Sequence, residues 1–275
     1  MSNMKESHPE RSVKEMVREG YGKIAVQSGS CCGIGDCEEI SRKVGYGERQ
    51  LEEIPEGANL GLGCGNPTAL ASIRAGYTVL DLGSGAGLDC FLASASVGPG
   101  GQVIGVDMTP EMVERANRNA REYGYENVEF RMGEIECLPV DDGSVDLILS
   151  NCVINLSPNK QQVFAEAFRV LKPGGRLCIS DLVLVGDLPD EVRTSVAAYI
   201  GCLSGAVRKE QYLQFIRDAG FSGVSVITDQ PFPVDCMLND ETAKVLLDDL
   251  SFPAEGGSAL SALVRSIAVT AEKRP

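Results

Sequence analysis

A glycine-rich turn between a strand-like run and a stretch of helical length leaves this chain few folds to adopt. The turn reads Asp81-Leu82-Gly83-Ser84-Gly85-Ala86-Gly87 and follows an apolar, strand-like run. Asp107 ends the next such run, 20 residues beyond Gly87. Glycines let a backbone turn tightly against a ligand, and an acid at that place can accept both hydroxyls of a ribose. The segment therefore predicts a nucleotide-binding strand-turn-helix unit.

The spacing of the glycines argues against a pyrophosphate site. They follow G-x-G-x-G, with Asp81 two residues before Gly83, and not the G-x-G-x-x-G of dinucleotide folds. A nucleoside ligand that has no phosphate suits such a loop, and Asp81 then faces an amino group or water. A ligand-free turn is the alternative for a bare glycine triplet, so it is the combination with the strand, the helix and Asp107 that favours a ligand.

Short β-branched runs alternate with amphipathic stretches of helical length between Thr78 and Asp181. This alternation is typical of a parallel sheet with helices on both faces. The predicted strands are 78–83, 102–108, 128–133, 145–154 and 175–183, and the predicted helices are 88–95, 110–123 and 160–170. Two later alternating runs, 224–230 and 266–273, predict antiparallel strands that bring the sheet to seven.

The flanking segments predict a three-part organisation. The parts are an N-terminal helical cap with a cysteine-rich segment at 1–57, the nucleotide-binding core at 58–183, and a segment at 184–275 whose strands complete the sheet. In the cap, apolar positions predict a helix over 9–27. The core begins with a glycine-rich stretch at 58–67 that has no helical or strand periodicity and is expected to be a loop. A further helix is predicted at 210–219.

Charge and histidine content exclude several classes of function. The chain has 39 acidic and 25 basic side chains, a net charge of −14, which repels phosphate backbones and anionic lipid. The polar N-terminus and the lack of a long apolar run predict a cytoplasmic protein with neither nucleic-acid nor membrane partners. Since His8 is the only histidine, Ser-His-Asp catalysis and multi-histidine zinc sites are excluded.

The chain contains ten cysteines, which makes thiol chemistry or the binding of a soft metal a candidate function. Three stand where a ligand has room: Cys64 between glycines in the loop, Cys152 at the end of the fourth strand, and Cys202 in a glycine-bounded break. None of the three belongs to a C-x-x-C zinc pair, whereas soft thiolates favour a thiophilic centre such as trivalent arsenic. Such an arsenic takes three sulfur ligands in a pyramid and keeps a lone pair, so it needs no general base. Four others are interpreted as small packing residues, namely Cys90, Cys137, Cys178 and Cys236.

The region 78–183 resembles the class I S-adenosylmethionine methyltransferases through the DLGSGAG loop, Asp107 and Gly133-Glu134-Ile135. The resemblance implies a Rossmann-like α/β fold with S-adenosylmethionine as cofactor. The implied cofactor residues are Asp81, Gly83, Gly85, Gly87, Asp107, Met108, Glu134, Ile135 and Asn151. In that family pattern Met108 and Ile135 sandwich the adenine, although ordinary core packing is an alternative for both. Glu134 is expected near the adenine amino edge, and Asn151 near the methionine part.

A closer resemblance, from about Tyr21 to Phe221, is to the arsenite methyltransferase family. It is carried by LGLGCGNP, DLGSGAG, SNCVINLSPNKQQV, RVLKPGG and YIGCLSGA. It implies arsenic ligation by three thiolates, those of Cys64, Cys152 and Cys202, with the arsenic lone pair attacking the sulfonium methyl. It also makes the Cys31-Cys32 pair a candidate for redox exchange with Cys64. The implied partners are arsenite or its thiol conjugates, with glutathione or thioredoxin as reductant.

Two other functions remain open at this point. A methyltransferase for a quinone or similar small carbon acceptor shares the core but has no use for three convergent thiols, so separated thiols in the fold would favour it. A thiol-based metalloid sensor or sequestering protein uses the thiols and keeps the cofactor loop as a relic. The acidic charge argues against a DNA-binding sensor, and cofactor turnover with arsenite distinguishes enzyme from sensor.

Overall fold

A computed structural model describes residues 10–27, 37–194, 198–199, 201–232 and 261–275. The predicted redox pair, Cys31 and Cys32, lies outside these residues, as do His8 and Cys236. The helices are α1 (Glu10–Gln27), α2 (Cys37–Lys43), α3 (Glu48–Glu52), α4 (Pro67–Leu70), α5 (Leu88–Val97), α6 (Pro110–Glu122), α7 (Lys160–Val170), α8 (Asp190–Thr194) and α9 (Lys209–Asp218). The strands are β1 (Thr78–Leu82), β2 (Gln102–Asp107), β3 (Val128–Met132), β4 (Val145–Asn151), β5 (Leu171–Leu184), β6 (Ser222–Pro231) and β7 (Val264–Glu272). No helix among the described residues is long and apolar enough to cross a membrane.

A seven-stranded sheet in the order β3-β2-β1-β4-β5-β7-β6 forms the centre of the molecule. Strands β1 to β5 are mutually parallel, and β7 runs antiparallel to both β5 and β6. The predicted α/β fold with a mostly parallel seven-stranded sheet is confirmed. The strand order reverses between β1 and β4, and ligands of such sheets bind at the carboxyl ends of the strands beside that reversal.

Alternation along β1 explains why helices cover both faces of the sheet. Leu80 and Leu82 pack in a core cluster with Phe164 of α7, whereas Val79 packs in a second cluster with Phe91 of α5. Successive side chains of a strand point to opposite faces, so each face needs its own covering layer. All five of these side chains are at most 1% exposed.

Strand β4 ends at Asn151, three residues before the predicted end at 154. Cys152 follows in the left-handed region with φ 57°, and its N–H donates to Ser180 O at 2.9 Å. A single turn of 3-10 helix, Ile154–Leu156, then begins. The prediction of a strand over 145–154 was too long because apolar residues continue past the point where the backbone turns. Cys152 therefore lies in the connection beyond the strand.

The Lys172-Pro173-Gly174-Gly175 run follows the predicted helix at 160–170 and reaches the start of the predicted strand at 175–183. Helix α7 does end at Val170, but β5 begins at once, at Leu171. Pairing with β4 then jumps from Val145↔Leu171 to Leu147↔Arg176, so the run forms a bulge inside the strand.

Helix α1 confirms the predicted N-terminal helix and lies across α6. The guanidinium of Arg115 on α6 donates to Ala25 O and to Gly57 O, both at 2.9 Å. Lys14 on α1 donates to Glu134 at 2.8 Å. Residues 58–66 have no helix or strand, as predicted, and this loop leads into α4, which the sequence patterns did not reveal.

Candidate functional site

A cavity that is open to solvent lies at the carboxyl ends of β1, β2 and β4, and the space in and above it measures about 1030 Å³ with the adjoining solvent included. The predicted cofactor residues that line it are Asp81, Gly83, Gly85, Asp107, Met108, Ile135 and Asn151. Cys152, one of the predicted thiol ligands, lines it too. The topology thus brings these residues from four separate sequence segments to one opening, at the strand ends where ligands of such sheets bind.

The turn after β1 and the acid after β2 fit a nucleoside. Gly83 and Gly85 have φ of 66° and 51°, and a Cβ at Gly83 would overlap the Val153 side chain. Gly85 N–H donates to one oxygen of Asp107 at 2.9 Å, and Thr109 N–H donates to the other at 2.8 Å. The Thr109 side chain and Met108 N–H also interact with this carboxylate, which lines the cavity where a ribose hydroxyl could reach it. Burial raises the pKa of Asp107, and these backbone hydrogen bonds oppose the rise.

Two predicted cofactor residues lie away from the cavity lining. Glu134 faces α1, where its carboxylate accepts from Lys14 at 2.8 Å and lies 3.7 Å from Arg18. Glu136, two residues on, lines the cavity in its place. Gly87 precedes α5 with φ 101°, and a Cβ there would overlap Phe91. Gly87 therefore permits close packing of the start of α5 against Phe91, and its predicted contact with the cofactor stays a prediction.

Asn151 at the end of β4 connects the cavity to the Cys64 loop. Its Oδ1 accepts from Cys64 N–H at 3.0 Å, and its Nδ2 lies 2.8 Å from the acceptor Gly65 O. The same Nδ2 lies 2.8 Å from the Tyr46 hydroxyl and 3.1 Å from Asp89 Oδ2. Through these bonds one side chain holds the loop that carries Cys64 against the strand end. Sequence patterns gave no indication of Tyr46 or Asp89.

Two buried carboxyl groups mark one end of the cavity. Asp81 and Asp89 both line it and are 2% and 5% exposed. Burial raises the pKa of Asp89 to about 6, against hydrogen bonds from Tyr46 and Asn151 that lower it. Burial and the neighbouring Asp89 raise the pKa of Asp81. This end of the cavity suits a cationic group such as an ammonium.

The three predicted thiol ligands converge beside the cavity. Cys64, Cys152 and Cys202 are 3%, 6% and 2% exposed and belong to one packed cluster. The sulfurs of Cys64 and Cys152 and a carboxylate oxygen of Asp181 all lie within 4.8 Å of one another. Cys202 Sγ donates to Cys152 O at 2.7 Å and also interacts with the Cys152 thiol. Tyr21 places its hydroxyl 4.0 Å from Cys202 Sγ.

Backbone strain accompanies two of these thiols. Cys152 and Cys202 have φ of 57° and 62°, and only one other described non-glycine residue, Ser72, has a positive φ. The left-handed conformation costs a residue with a Cβ about 1–2 kcal/mol. Strain of this kind persists only where the surrounding structure holds the residue in that conformation, and it clusters at functional sites.

Burial and the hydrogen bonds among these sulfurs together raise the pKa of all three thiols. Burial raises the pKa of Cys64, and the hydrogen bond with Cys152, followed by burial, raises that of Cys202. The hydrogen bond from Cys202 lowers the pKa of Cys152, but the bond with Cys64 and burial outweigh it. A ligand must therefore displace thiol protons, which a thiophilic centre can do.

A buried polar network that sequence reasoning missed lies behind the thiols. Asp181, 0% exposed, accepts at Oδ1 from Asn155 Nδ2 and Leu182 N–H, both at 2.9 Å, and at Oδ2 from the Tyr212 hydroxyl at 2.8 Å. Lys160, 8% exposed, donates to Asn155 O and to Ser157 O at 3.2 and 3.0 Å. The one available signal was an aspartate inside the apolar run of β5, since buried charges need partners.

Asp181 gives the protein a pH-dependent stability. Burial raises the pKa of Asp181 to about 6, above its unfolded value, against the hydrogen bond from Tyr212. The unfolded chain therefore releases this proton first, and stability falls as pH rises from about 4 to about 6, by on the order of 2–3 kcal/mol. In Asp181→Asn this loss is absent. Burial lowers the pKa of Lys160 to about 8, so its effect on the pH dependence of stability falls above pH 8, outside this range.

Urea unfolding of both proteins in reducing buffer, at pH 4, 5, 6 and 7, measures the difference. We expect wild type to lose unfolding free energy relative to Asp181→Asn between the first and third of these pH values. A difference that stays constant over the series would show that Asp181 does not titrate in this range.

The four cysteines interpreted as packing residues give a mixed result. Cys90 and Cys178 are 0% and 2% exposed, as expected of small core residues. Cys137 is exposed, so that prediction was wrong: Cys137 forms an isolated β-bridge with Glu134 across a turn. Cys236 lies outside the described residues.

Comparison with known proteins identifies relatives of this chain. A family model described as a methyltransferase domain matches residues 73–220. An arsenite methyltransferase of Halobacterium salinarum is 47% identical over 228 residues, which are 78% of this chain and 58% of the relative. One of Aquipseudomonas alcaligenes is 40% identical over 230 residues, 81% of this chain and 66% of the relative. The chain thus spans less than two thirds of the length of either protein.

A solved structure supports the same relationship. It is the crystal structure of an arsenic(III) S-adenosylmethionine methyltransferase from Chlamydomonas reinhardtii, which superposes with a TM-score of 0.60 at 32% identity. The match covers 86% of this chain and 73% of that one.

Proposed function

Because the chain belongs to the arsenic(III) S-adenosylmethionine methyltransferase family, we propose that it transfers a methyl group to trivalent arsenic held by Cys64, Cys152 and Cys202. The observation that carries the proposal is the position of Cys152. Its side chain lines the large cavity while its thiol interacts with both other thiols. Arsenic bound there lies at the wall of the cofactor cavity.

Ligand exchange loads arsenic without burying net charge. Arsenite arrives as the neutral hydroxide, three As–O bonds are replaced by As–S bonds, and the three thiol protons leave with the hydroxides as water. The product is a neutral pyramid, so thiols whose pKa is raised by burial suit it better than preformed thiolates would. A thiol conjugate of arsenite exchanges in the same way and releases free thiols.

The residues around the cavity have separable tasks in this proposal. Asp107 holds the ribose, Met108 and Ile135 enclose the adenine, and Asp81 with Asn151 faces the methionine part. When bound, S-adenosylmethionine would supply a sulfonium methyl as the electrophile, and arsenic held by the thiols would supply a lone pair as the nucleophile. No general base is required, so positioning and exclusion of water by the buried thiol cluster supply the rate enhancement.

Reductants complete the proposed cycle. Methylation raises arsenic from the trivalent to the pentavalent state, and two electrons from a pair of thiols return it, with formation of a disulfide. We assign this exchange to Cys64 with Cys31 or Cys32, and the renewal of the thiols to glutathione or thioredoxin. Detoxification of arsenic is the role that such a cycle serves.

Replacing Asp107 by Ala tests the assignment of separate cofactor and arsenic sites. We expect the affinity for S-adenosylhomocysteine to fall about 10- to 100-fold, because two hydrogen bonds to a charged group are lost. Arsenite affinity should stay the same, since no thiol is touched. Isothermal titration calorimetry with each ligand measures both. Asp107→Asn, which keeps the side-chain shape, serves as the control, and an equal loss of both affinities would contradict separate sites.

Transfer of radiolabelled methyl groups from S-adenosylmethionine, in thiol buffer, tests the function itself. We expect label to appear on arsenic only when arsenite is added. Label transferred to a demethylated quinone in place of arsenite would favour the carbon-acceptor alternative. Tight arsenite binding with no transfer of label would favour the sensor or sequestering protein.

A further inference from the structure

We propose that Cys64, Cys152 and Asp181 form a binding site for a divalent cation of the Zn²⁺ and Cd²⁺ class. All three ligand groups are buried, at 3%, 6% and 0% exposure. Their two sulfurs and one carboxylate oxygen lie within 4.8 Å of one another. This is the one such group of three found among the described residues. Its ligand set overlaps the arsenic site but differs from it by a carboxylate.

The donor atoms suit a borderline or soft cation. Thiolates with a carboxylate are common ligands of Zn²⁺, whereas trivalent arsenic is satisfied by three sulfurs in a pyramid. Asp181 Oδ2 accepts from the Tyr212 hydroxyl at 2.8 Å, and a carboxylate oxygen has a second lone pair with which it can bind a cation. Hydrogen bonds from Asn155 and Leu182 hold the other oxygen, which fixes the carboxylate as outer partners of metal ligands do.

The separation of the ligand atoms is close to what a tetrahedral cation needs. With Zn–S of about 2.3 Å and Zn–O of about 2.0–2.2 Å, the ligand atoms lie about 3.5–3.8 Å apart. The observed separations, all within 4.8 Å, exceed this by at most about 1 Å. Rotation of two cysteine side chains covers such a difference. Cys202, whose thiol adjoins that of Cys152, stands beside the position of a fourth ligand.

The charge of the cation is balanced inside the protein. Binding converts two thiols into thiolates and releases two protons to solvent, with no change of oxidation state. Two thiolates and a carboxylate exceed the charge of a divalent cation by one, and the buried Lys160 ammonium attracts the Asp181 carboxylate electrostatically, which offsets this excess. Because Cys64 and Cys152 are shared, the cation and arsenite should exclude one another.

The variant Asp181→Asn distinguishes binding of the divalent cation from binding of arsenite. The amide oxygen can accept from Asn155 and Leu182, and the amide nitrogen can donate to Tyr212 once that hydroxyl rotates, so the network is preserved. In a background with Cys31, Cys32, Cys137 and Cys236 replaced by serine, we expect Cd²⁺ affinity to fall about tenfold or more. Arsenite affinity should remain that of the background protein.

Competition with a chromophoric chelator measures the Cd²⁺ affinity, and Cys152→Ser, expected to lose both ligands, is the control. Unchanged Cd²⁺ affinity in Asp181→Asn would overturn the proposal. A second measurement does not depend on any variant at Asp181: X-ray absorption of Cd²⁺ bound to the background protein should show oxygen together with sulfur. An all-sulfur shell would also overturn it. Neither measurement requires methylation, so the cation site can stand even where the proposed enzyme activity fails.

Discussion

Replacing Cys152 by serine is expected to abolish methylation of both arsenite and monomethylarsenite. Turnover should fall by more than about a hundredfold, because the loss of a residue that only hydrogen-bonds to a metal ligand already costs up to about that much. Cys152 interacts with the thiols of Cys64 and Cys202 and is the thiol that lines the cavity. Without it no arsenic is held at the cavity wall. Cys202→Ser should have the same consequence, because Cys202 lies in direct contact with Cys152.

Cys64→Ser is expected to separate the two substrates. Each methylation followed by reduction replaces one As–S bond by an inert As–C bond, so monomethylarsenite binds only two thiolates. We propose Cys64 as the dispensable ligand, because a side-chain hydrogen bond from Asn151 holds its glycine-flanked loop, whereas the backbone N–H groups of Cys152 and Cys202 donate to Ser180 O and Tyr199 O. The variant should therefore lose methylation of arsenite and retain that of monomethylarsenite, with the thiol of the buffer acting as reductant in place of Cys64.

Assays of the three variants on both acceptors, with one thiol and one cofactor concentration, give the comparison. Cys178→Ser is the matched control: Cys178 is equally buried and its sulfur donates to Pro67 O, a bond that a serine hydroxyl can replace. It should retain both activities. Identical behaviour of the three ligand variants on both acceptors would show that this division among the cysteines is wrong.

Asn151→Ala should destabilise the protein by about 2–4 kcal/mol, because it leaves Cys64 N–H, Gly65 O and part of the Asp89 carboxylate without their partner. It should also weaken both cofactor and arsenite binding, since Asn151 lines the cavity and holds the Cys64 loop. Loss of both affinities distinguishes this variant from Asp107→Ala, which should affect the cofactor alone.

Urea unfolding and calorimetry with each ligand measure these effects. Asn117→Ala is the control, because Asn117 makes a single hydrogen bond, to Val113 O within its own helix. Its unfolding free energy should change by less than about 1 kcal/mol. If Asn151→Ala kept full arsenite affinity, the loop that carries Cys64 would not depend on this side chain.

Much of the fold could be predicted because each element has a local signal. Periodicity placed α7 at 160–170 correctly, and Pro110 after Thr109 gave the start of α6. The end of β4 could not be found this way, since Ile154 is as apolar as a strand residue and the turn at Cys152 depends on a backbone hydrogen bond to Ser180 in the neighbouring strand.

The site was predictable only in part, for a related reason. Glycines and cysteines could be singled out because the residue type and its neighbours in the sequence already indicate a tight turn or a thiol ligand. Tyr46, Asp89 and Asp181 did not, because their roles come from burial and from partners distant in sequence, such as Tyr46 and Asp89, 43 residues apart. Glu134 could not be placed by pattern alone, since its carboxylate pairs with Lys14, a lining residue of the cavity contributed by the distant helix α1.

The most direct test of arsenic held by three thiolates is X-ray absorption at the arsenic edge, on the stoichiometric complex of reduced protein with arsenite. We expect three sulfur neighbours and no oxygen, with two sulfurs remaining in Cys64→Ser loaded with monomethylarsenite. A first shell that contains oxygen in the wild-type complex, or a sulfur count unchanged when Cys64, Cys152 or Cys202 is replaced, would contradict the proposed site.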